Sequence, residues 1–182
     1  MTMNRRARAR GAQAVLVLLA GCGGAKAESA PAAPPGASVL RPDAGAPVDF
    51  DFDSVDDRPV SSAATRGKPT VITFVTTSSL PAQAQVDFLV VMAKHDGDRV
   101  NYAVVAVEPR ESRELVELYS RALGTPFPVA MADANTLAGA GPFGEVAAVP
   151  VTVVMDRAGR IVWRAEERVA RSDEIRGVLR GL

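Results

Sequence analysis

Two runs of β-branched and apolar residues, TVITFVT (70–76) and VNYAVVAV (100–107), constrain this chain more than any other feature in it. A strand with one wet face alternates apolar and polar residues, whereas a nearly unbroken run belongs to a strand covered on both faces. Between the two runs, PAQAQVDFLVVMAK (81–94) repeats apolar residues at Val86, Leu89, Val90 and Ala93, the period of a helix. A second helical pattern over 111–123 puts Leu115, Leu118 and Ala122 on one stripe, with Gly124 as its stop. Three more strand signals follow: PVAMA (128–132), VTVVMD (151–156) and RIVWRAE (160–166), the last two joined by a turn at Asp156-Arg157-Ala158-Gly159. The final helix opens at Ser172, carries Asp173 and Glu174 in its first turn, and buries Ile175, Val178, Leu179 and Leu182. This order of elements predicts an α/β domain with a central mixed sheet flanked by helices and covered on both faces.

Ahead of the first strand, DFDFDSVDDRPVSS (49–62) alternates acids with Phe50 and Phe52, predicting a short N-terminal hairpin whose aromatic side faces inward. The repeated acids do not make a calcium loop. Counting from Asp49, the sixth and twelfth places of such a loop need Gly and Glu, and here they hold Ser54 and Val60. Residues 23–48 are too poor in large apolar side chains to repay the cost of ordering them, and their prolines favour an extended tether. The sequence therefore divides into an N-terminal segment 1–21, a tether 22–48 that is disordered and rich in Ala, Pro and Gly, and one folded domain 49–182.

The N-terminal segment reads as an address. Arg5, Arg6, Arg8 and Arg10 precede the short apolar run AVLVLLA and then LAGC, a signal peptide ending in a lipobox. The apolar run is about half of what a bilayer crossing needs. Leu19-Ala20-Gly21-Cys22 resembles the bacterial lipoprotein site, so Cys22 is expected to be cleaved to the N-terminus and lipidated. Several acyl chains would hold the mature chain on a membrane, each buried methylene contributing roughly 0.8 kcal/mol. Gly23 and Gly24, in place of the Asp that retains such proteins in the inner membrane, favour the periplasmic side of the outer membrane. Four of the 21 basic residues lie in the signal and all 21 acids lie after it, so the mature chain carries 17 − 21 = −4, a balance that argues against nucleic acid.

In its folded part, from about Phe50 to the end, the sequence resembles the membrane-tethered thioredoxin-like oxidoreductases of the TlpA/ResA type, redoxins that often serve cytochrome c maturation. The resemblance rests on DDRPVSSAATRGKPTVITFVTT (56–77) and on VAAVPVTVVMDRAGRIVWR (146–164). It implies a thioredoxin-like fold with a cis peptide at Val149-Pro150, followed by Val151, beside the active site. Placed on that pattern, the family's Cys-x-x-Cys falls on Ser79-Leu80-Pro81-Ala82. Both sulfur positions are gone, while Pro81 and the helix after it remain. A cysteine at a helix N-terminus gains a lowered pKa, but a hydroxyl there stays very weakly acidic and needs a neighbouring base.

No base is in reach. His95 is the sole histidine and lies at the far end of the helix that Ser79 begins, about 20 Å away at 1.5 Å per residue. It reads as a helix-end residue. With one histidine and one cysteine, the chain has no ligand set for zinc, haem or copper, and no cofactor is implied. Ser79 reads as an N-cap and Pro81 as a first-turn residue. Trp163 shares a strand face with Ile161 and reads as sheet packing. The glycine-rich GAGPFGEV (139–146) matches no phosphate loop and runs toward Pro150. The arginines of 160–180 alternate with acids and read as a solvated face.

These readings predict an envelope-anchored, redox-inactive lipoprotein that binds an envelope protein or peptide through a groove lined by residues 76–81 and 149–151. A thiol-disulfide oxidoreductase acting in cell redox homeostasis is the enzymatic alternative, although a lipidated Cys22 leaves it no thiolate. A structural scaffold of the envelope is a third.

Overall fold

The computed structural model describes residues 37–39 and 45–182; the expected signal peptide, Cys22 and most of the expected tether lie outside the described residues. The strands are β1 (Ala37–Val39), β2 (Asp51–Ser54), β3 (Val60–Ser61), β4 (Thr70–Val75), β5 (Asn101–Ala106), β6 (Val129–Met131), β7 (Val151–Met155) and β8 (Ile161–Ala165). They form one mixed sheet in the order β1-β8-β7-β4-β5-β6-β2-β3. β4, β5 and β6 are parallel; on the other side of β4, β7 runs antiparallel to it and β8 antiparallel to β7.

The helices are α1 (Ser62–Thr65), α2 (Leu80–Asp96), α3 (Arg113–Leu123), α4 (Ala134–Leu137) and α5 (Ser172–Leu179). Both parallel crossovers have the same hand, which puts α2 and α3 on one face of the sheet. There Val86 and Leu89 of α2, Val116 of α3 and Ile175 of α5 share one buried cluster with Val71, Val104 and Trp163. The opposite face is closed in part by the N-terminal hairpin, whose aromatic side faces inward as expected. Phe50, Phe52 and Phe143 cover Ile72, Phe74, Val105 and Val153, so the N-terminal hairpin and a loop supply most of that layer. Phe143 packs edge-on to Phe50 at 5.1 Å between ring centres, and Phe52 lies 6.2 Å from Phe74, also edge-on.

Four details depart from the sequence reading. Leu115 and Leu118 are each 52% exposed, while Val116 is buried and Tyr119 and Leu123 are partly buried. Both triplets repeat with helical spacing, about 100° apart around the axis. The stripe that faces the sheet is the one led by Val116, which is fully buried in the core with Tyr119 and Leu123 packed against it; Arg113, donating to Ser54 O at 2.6 Å and pairing with Asp53 at 3.0 Å, ties the start of α3 to β2. Second, α5 opens at Ser172 as expected, but of the four residues expected to be buried only Ile175 is, Val178, Leu179 and Leu182 being partly buried. Third, within the stretch expected as tether, Ala37–Val39 pairs with β8 and the Val48 N–H donates to Gly159 O at 2.9 Å. Main-chain pairing at a sheet edge needs no apolar side chain, so composition alone does not reveal it. Fourth, the arginines of 160–180 are not all solvated: Arg164 is largely buried and hydrogen-bonded to main-chain carbonyls.

Candidate functional site

The register Phe74↔Val151 sets the C-terminal end of β4 beside the N-terminal end of β7. Two loops therefore meet at one end of the sheet: residues 76–79, leading into α2, and residues 147–150, leading into β7. The Val149–Pro150 peptide is cis, and Pro150 is buried while Val149 is half-buried. Among the described residues, none hydrogen-bonds to the main chain of Val149.

Ser79 caps α2. Its Oγ accepts from the Ala82 N–H at 3.3 Å, and its carbonyl accepts from the Gln83 N–H at 2.9 Å. Pro81 occupies the first turn, where a missing N–H costs nothing, and Ala82 is fully buried. Leu80 projects outward and is 78% exposed, an unusual state for a leucine at the head of a buried helix. The four positions on which the resemblance places the motif thus present one capping hydroxyl, one exposed apolar side chain, a proline and a buried methyl.

Two residues that hold this end of the molecule carried no clear signal in the sequence. Glu108 follows β5 and is 9% exposed; its Oε1 accepts from the Thr77 N–H at 2.5 Å and the Thr77 hydroxyl at 2.7 Å. It clamps the 76–79 loop to the neighbouring strand. A lone acid directly after an apolar strand is the trace it leaves in the sequence. Gln85, one turn behind Ala82, is fully buried; its Oε1 accepts from the Ala170 N–H at 2.5 Å, and its Nε2 has no partner among the described residues. The hydroxyl of Tyr119 on α3 is likewise buried without a partner, and burial, reinforced by the Asp87 and Glu108 carboxylates, pushes its pKa up to about 12.

Beside Pro150 lies a cavity of about 410 Å³ lined by Phe143, Ala147, Ala148, Val151 and Arg164, with Glu145, Glu166 and Glu167 around it. Arg164 holds its wall in place: the guanidinium donates to the carbonyl of Phe143, to the carbonyl of Glu145 at 2.6 Å, and to the Glu166 carboxylate. The glycine-rich loop does run to this place, as its sequence position implied. Gly141 approaches Thr136 so closely that a Cβ there would sit 2.6 Å from Oγ1 and 3.0 Å from Cα.

His95 does not join the site. It lies in the last turn of α2, sixteen residues from Ser79 or roughly 24 Å along the axis, and pairs with Asp96 at 2.9 Å. Ser79 Oγ thus has no imidazole to activate it. Among the described residues, no group of three His, Cys, Asp or Glu is arranged to hold a metal.

No protein-family model matches the chain, and no curated protein sequence matches it. Solved structures do. A DsbF homologue from Corynebacterium diphtheriae aligns over 81% of this chain and 93% of its own, with a TM-score of 0.71 at 19% identity. A secreted Mycobacterium tuberculosis disulfide oxidoreductase homologous to E. coli DsbE aligns over 74% and 96%, with a TM-score of 0.60 at 17% identity. A thio-disulfide isomerase from Thermus thermophilus aligns over 74% and 93%, with a TM-score of 0.57 at 27% identity. The chain has the thioredoxin fold, in the form seen in these thiol-disulfide proteins, and carries Ser79 and Ala82 where the resemblance places their two cysteines.

Proposed function

We propose that this protein is a redox-inactive, lipid-anchored binding module of the bacterial envelope. It takes an extended segment of a partner protein or peptide in the groove between the 76–81 loop and Val149-Pro150-Val151. The observation that carries the reading is the combination at one sheet end of unpaired main chain at Val149, an exposed Leu80 and an adjacent cavity beside Pro150. An extended peptide draws affinity from main-chain hydrogen bonds and specificity from side-chain pockets, and all three elements stand together here. Thiol chemistry needs a thiolate to attack a disulfide, and neither motif position supplies one. Export and anchoring rest on the signal and Cys22, and the outer membrane on Gly23 and Gly24; the secreted relative from Mycobacterium tuberculosis is in keeping with export.

The test is NMR shift mapping of the chain against a library of extended peptides and candidate envelope proteins. Shifts centred on Thr76, Leu80 and Val149 are expected; shifts confined to α5 and the β7–β8 turn would rule the groove out. An insulin-reduction assay addresses the enzymatic alternative, which the disulfide oxidoreductase and isomerase among the fold neighbours favour. Clear turnover by the purified mature protein would overturn the redox-inactive reading.

A further inference from the structure

At the other end of β4, where α2 and α5 finish, a second cavity of about 410 Å³ is lined by Arg99, Arg157, Arg176 and Arg180. Its apolar lining comes from Pro69, Val100, Leu179 and Leu182. The arginines arrive from three separate parts of the chain: the turn after α2, the β7–β8 turn, and α5 with its C-terminal end. Asp96 is the acidic side chain on this lining; it accepts from the Tyr102 hydroxyl at 2.6 Å, pairs with His95 at 2.9 Å and lies 3.8 Å from the Arg99 guanidinium. Among the described residues, Arg157, Arg176 and Arg180 form no ion pair. The Nε of Arg176 is buried with no hydrogen-bond partner. Four arginines less one acid, Asp96, leave a formal charge of +3 on a lining that is partly apolar.

Guanidinium groups that outnumber the acids beside them are costly to gather unless an anion completes them, and their forked donors suit phosphate oxygens. The apolar part of the lining calls for more than an inorganic ion, because Val100, Leu179 and Leu182 would stay wet beneath a bare phosphate. We propose that this cavity binds a phosphate-headed amphiphile. The arginines take the phosphate oxygens, and a short apolar portion of the ligand covers Val100, Leu179 and Leu182. The site is separate from the proposed peptide groove, lying at the opposite end of β4, so each stands or falls without the other.

The experiment uses the full chain carrying Cys22→Ser, so that no acyl anchor competes, and follows amide shifts by NMR. Dihexanoyl phosphatidic acid, added as monomers, is expected to give saturable shifts at Val100, Leu179 and Leu182, with inorganic phosphate binding at least about tenfold more weakly. Arg157→Gln with Arg180→Gln, both at exposed positions, is expected to weaken the lipid about tenfold without moving the melting temperature. Flotation on vesicles of one part phosphatidylglycerol to three parts phosphatidylcholine separates the sources. Flotation that the double substitution abolishes identifies a membrane lipid, and binding of the monomer alone identifies a soluble amphiphile; either supports the assignment. Equal affinity for inorganic phosphate, equal shifts with zwitterionic dihexanoyl phosphatidylcholine, or shifts unchanged by the double substitution would overturn it.

Discussion

Glu108 grips Thr77 twice through one oxygen, accepting from its N–H at 2.5 Å and its hydroxyl at 2.7 Å. This ties the loop that leads into α2 to the end of the neighbouring strand, and so sets one wall of the proposed groove. Glu108→Ala leaves the Thr77 N–H unpaired in a partly buried place. A loss of about 1–3 kcal/mol in urea unfolding is expected, with line broadening confined to residues 76–80. Thr77→Val, which keeps the N–H, should lose less.

Leu80 offers the opposite case. At 78% exposure it contributes little to the core, so Leu80→Ser should leave the melting temperature within about 1 °C. The same substitution should weaken binding of a groove peptide several-fold, since an exposed leucine beside a cleft contributes chiefly through a partner. Titration of wild type and variant with the same peptide checks it.

Restoring sulfur tests what the scaffold still does. In the double variant Ser79→Cys, Ala82→Cys, the first thiol stands at the N-terminus of α2 in a half-buried setting, where helix amides favour the thiolate. Its pKa should fall below the ordinary value of about 8.5, read as alkylation by iodoacetamide that persists at pH 7. The second position is fully buried at Ala82 and should react far more slowly.

Gly141 is a packing requirement rather than a hinge. A methyl placed there meets the Thr136 backbone as well as its hydroxyl, so Gly141→Ala should cost about 1–3 kcal/mol. Adding Thr136→Ala removes the 2.6 Å contact but not the 3.0 Å contact with Cα, and should recover only part of that loss. Thermal unfolding of the three variants reads both effects.

Glu174 makes stability depend on acid. Hydrogen bonds from Arg168, at 2.9 and 3.0 Å, hold its pKa below the ordinary 4.5, against a partial burial that would raise it. A carboxylate depressed in the fold stabilises it fully above the unfolded value, and that contribution disappears as pH falls through the folded one. The urea midpoint should therefore drop between pH 5 and about pH 3, and Glu174→Gln should flatten part of that drop while lowering stability at pH 7 by about 1–2 kcal/mol.

Much of this was legible in the chain. The unbroken strands at 70–76 and 100–107 and the turn at Asp156–Gly159 fixed an α/β sheet, because a strand buried on both faces tolerates few polar residues. The resemblance put motif positions at Ser79 to Ala82 and a cis peptide at Val149-Pro150, and the cis peptide stands there. Sequence alone also determined the thiol content: the one cysteine is at position 22, so residues 49–182 hold none. Only the tertiary structure decided which stripe of α3 faces the sheet, because Leu115 and Val116 both begin plausible apolar repeats and the choice depends on which of them meets the core packed by the other elements. It alone brought Glu108 to Thr77, and gathered Arg99, Arg157, Arg176 and Arg180 around one cavity, since residues far apart in sequence meet only once the sheet sets their separation.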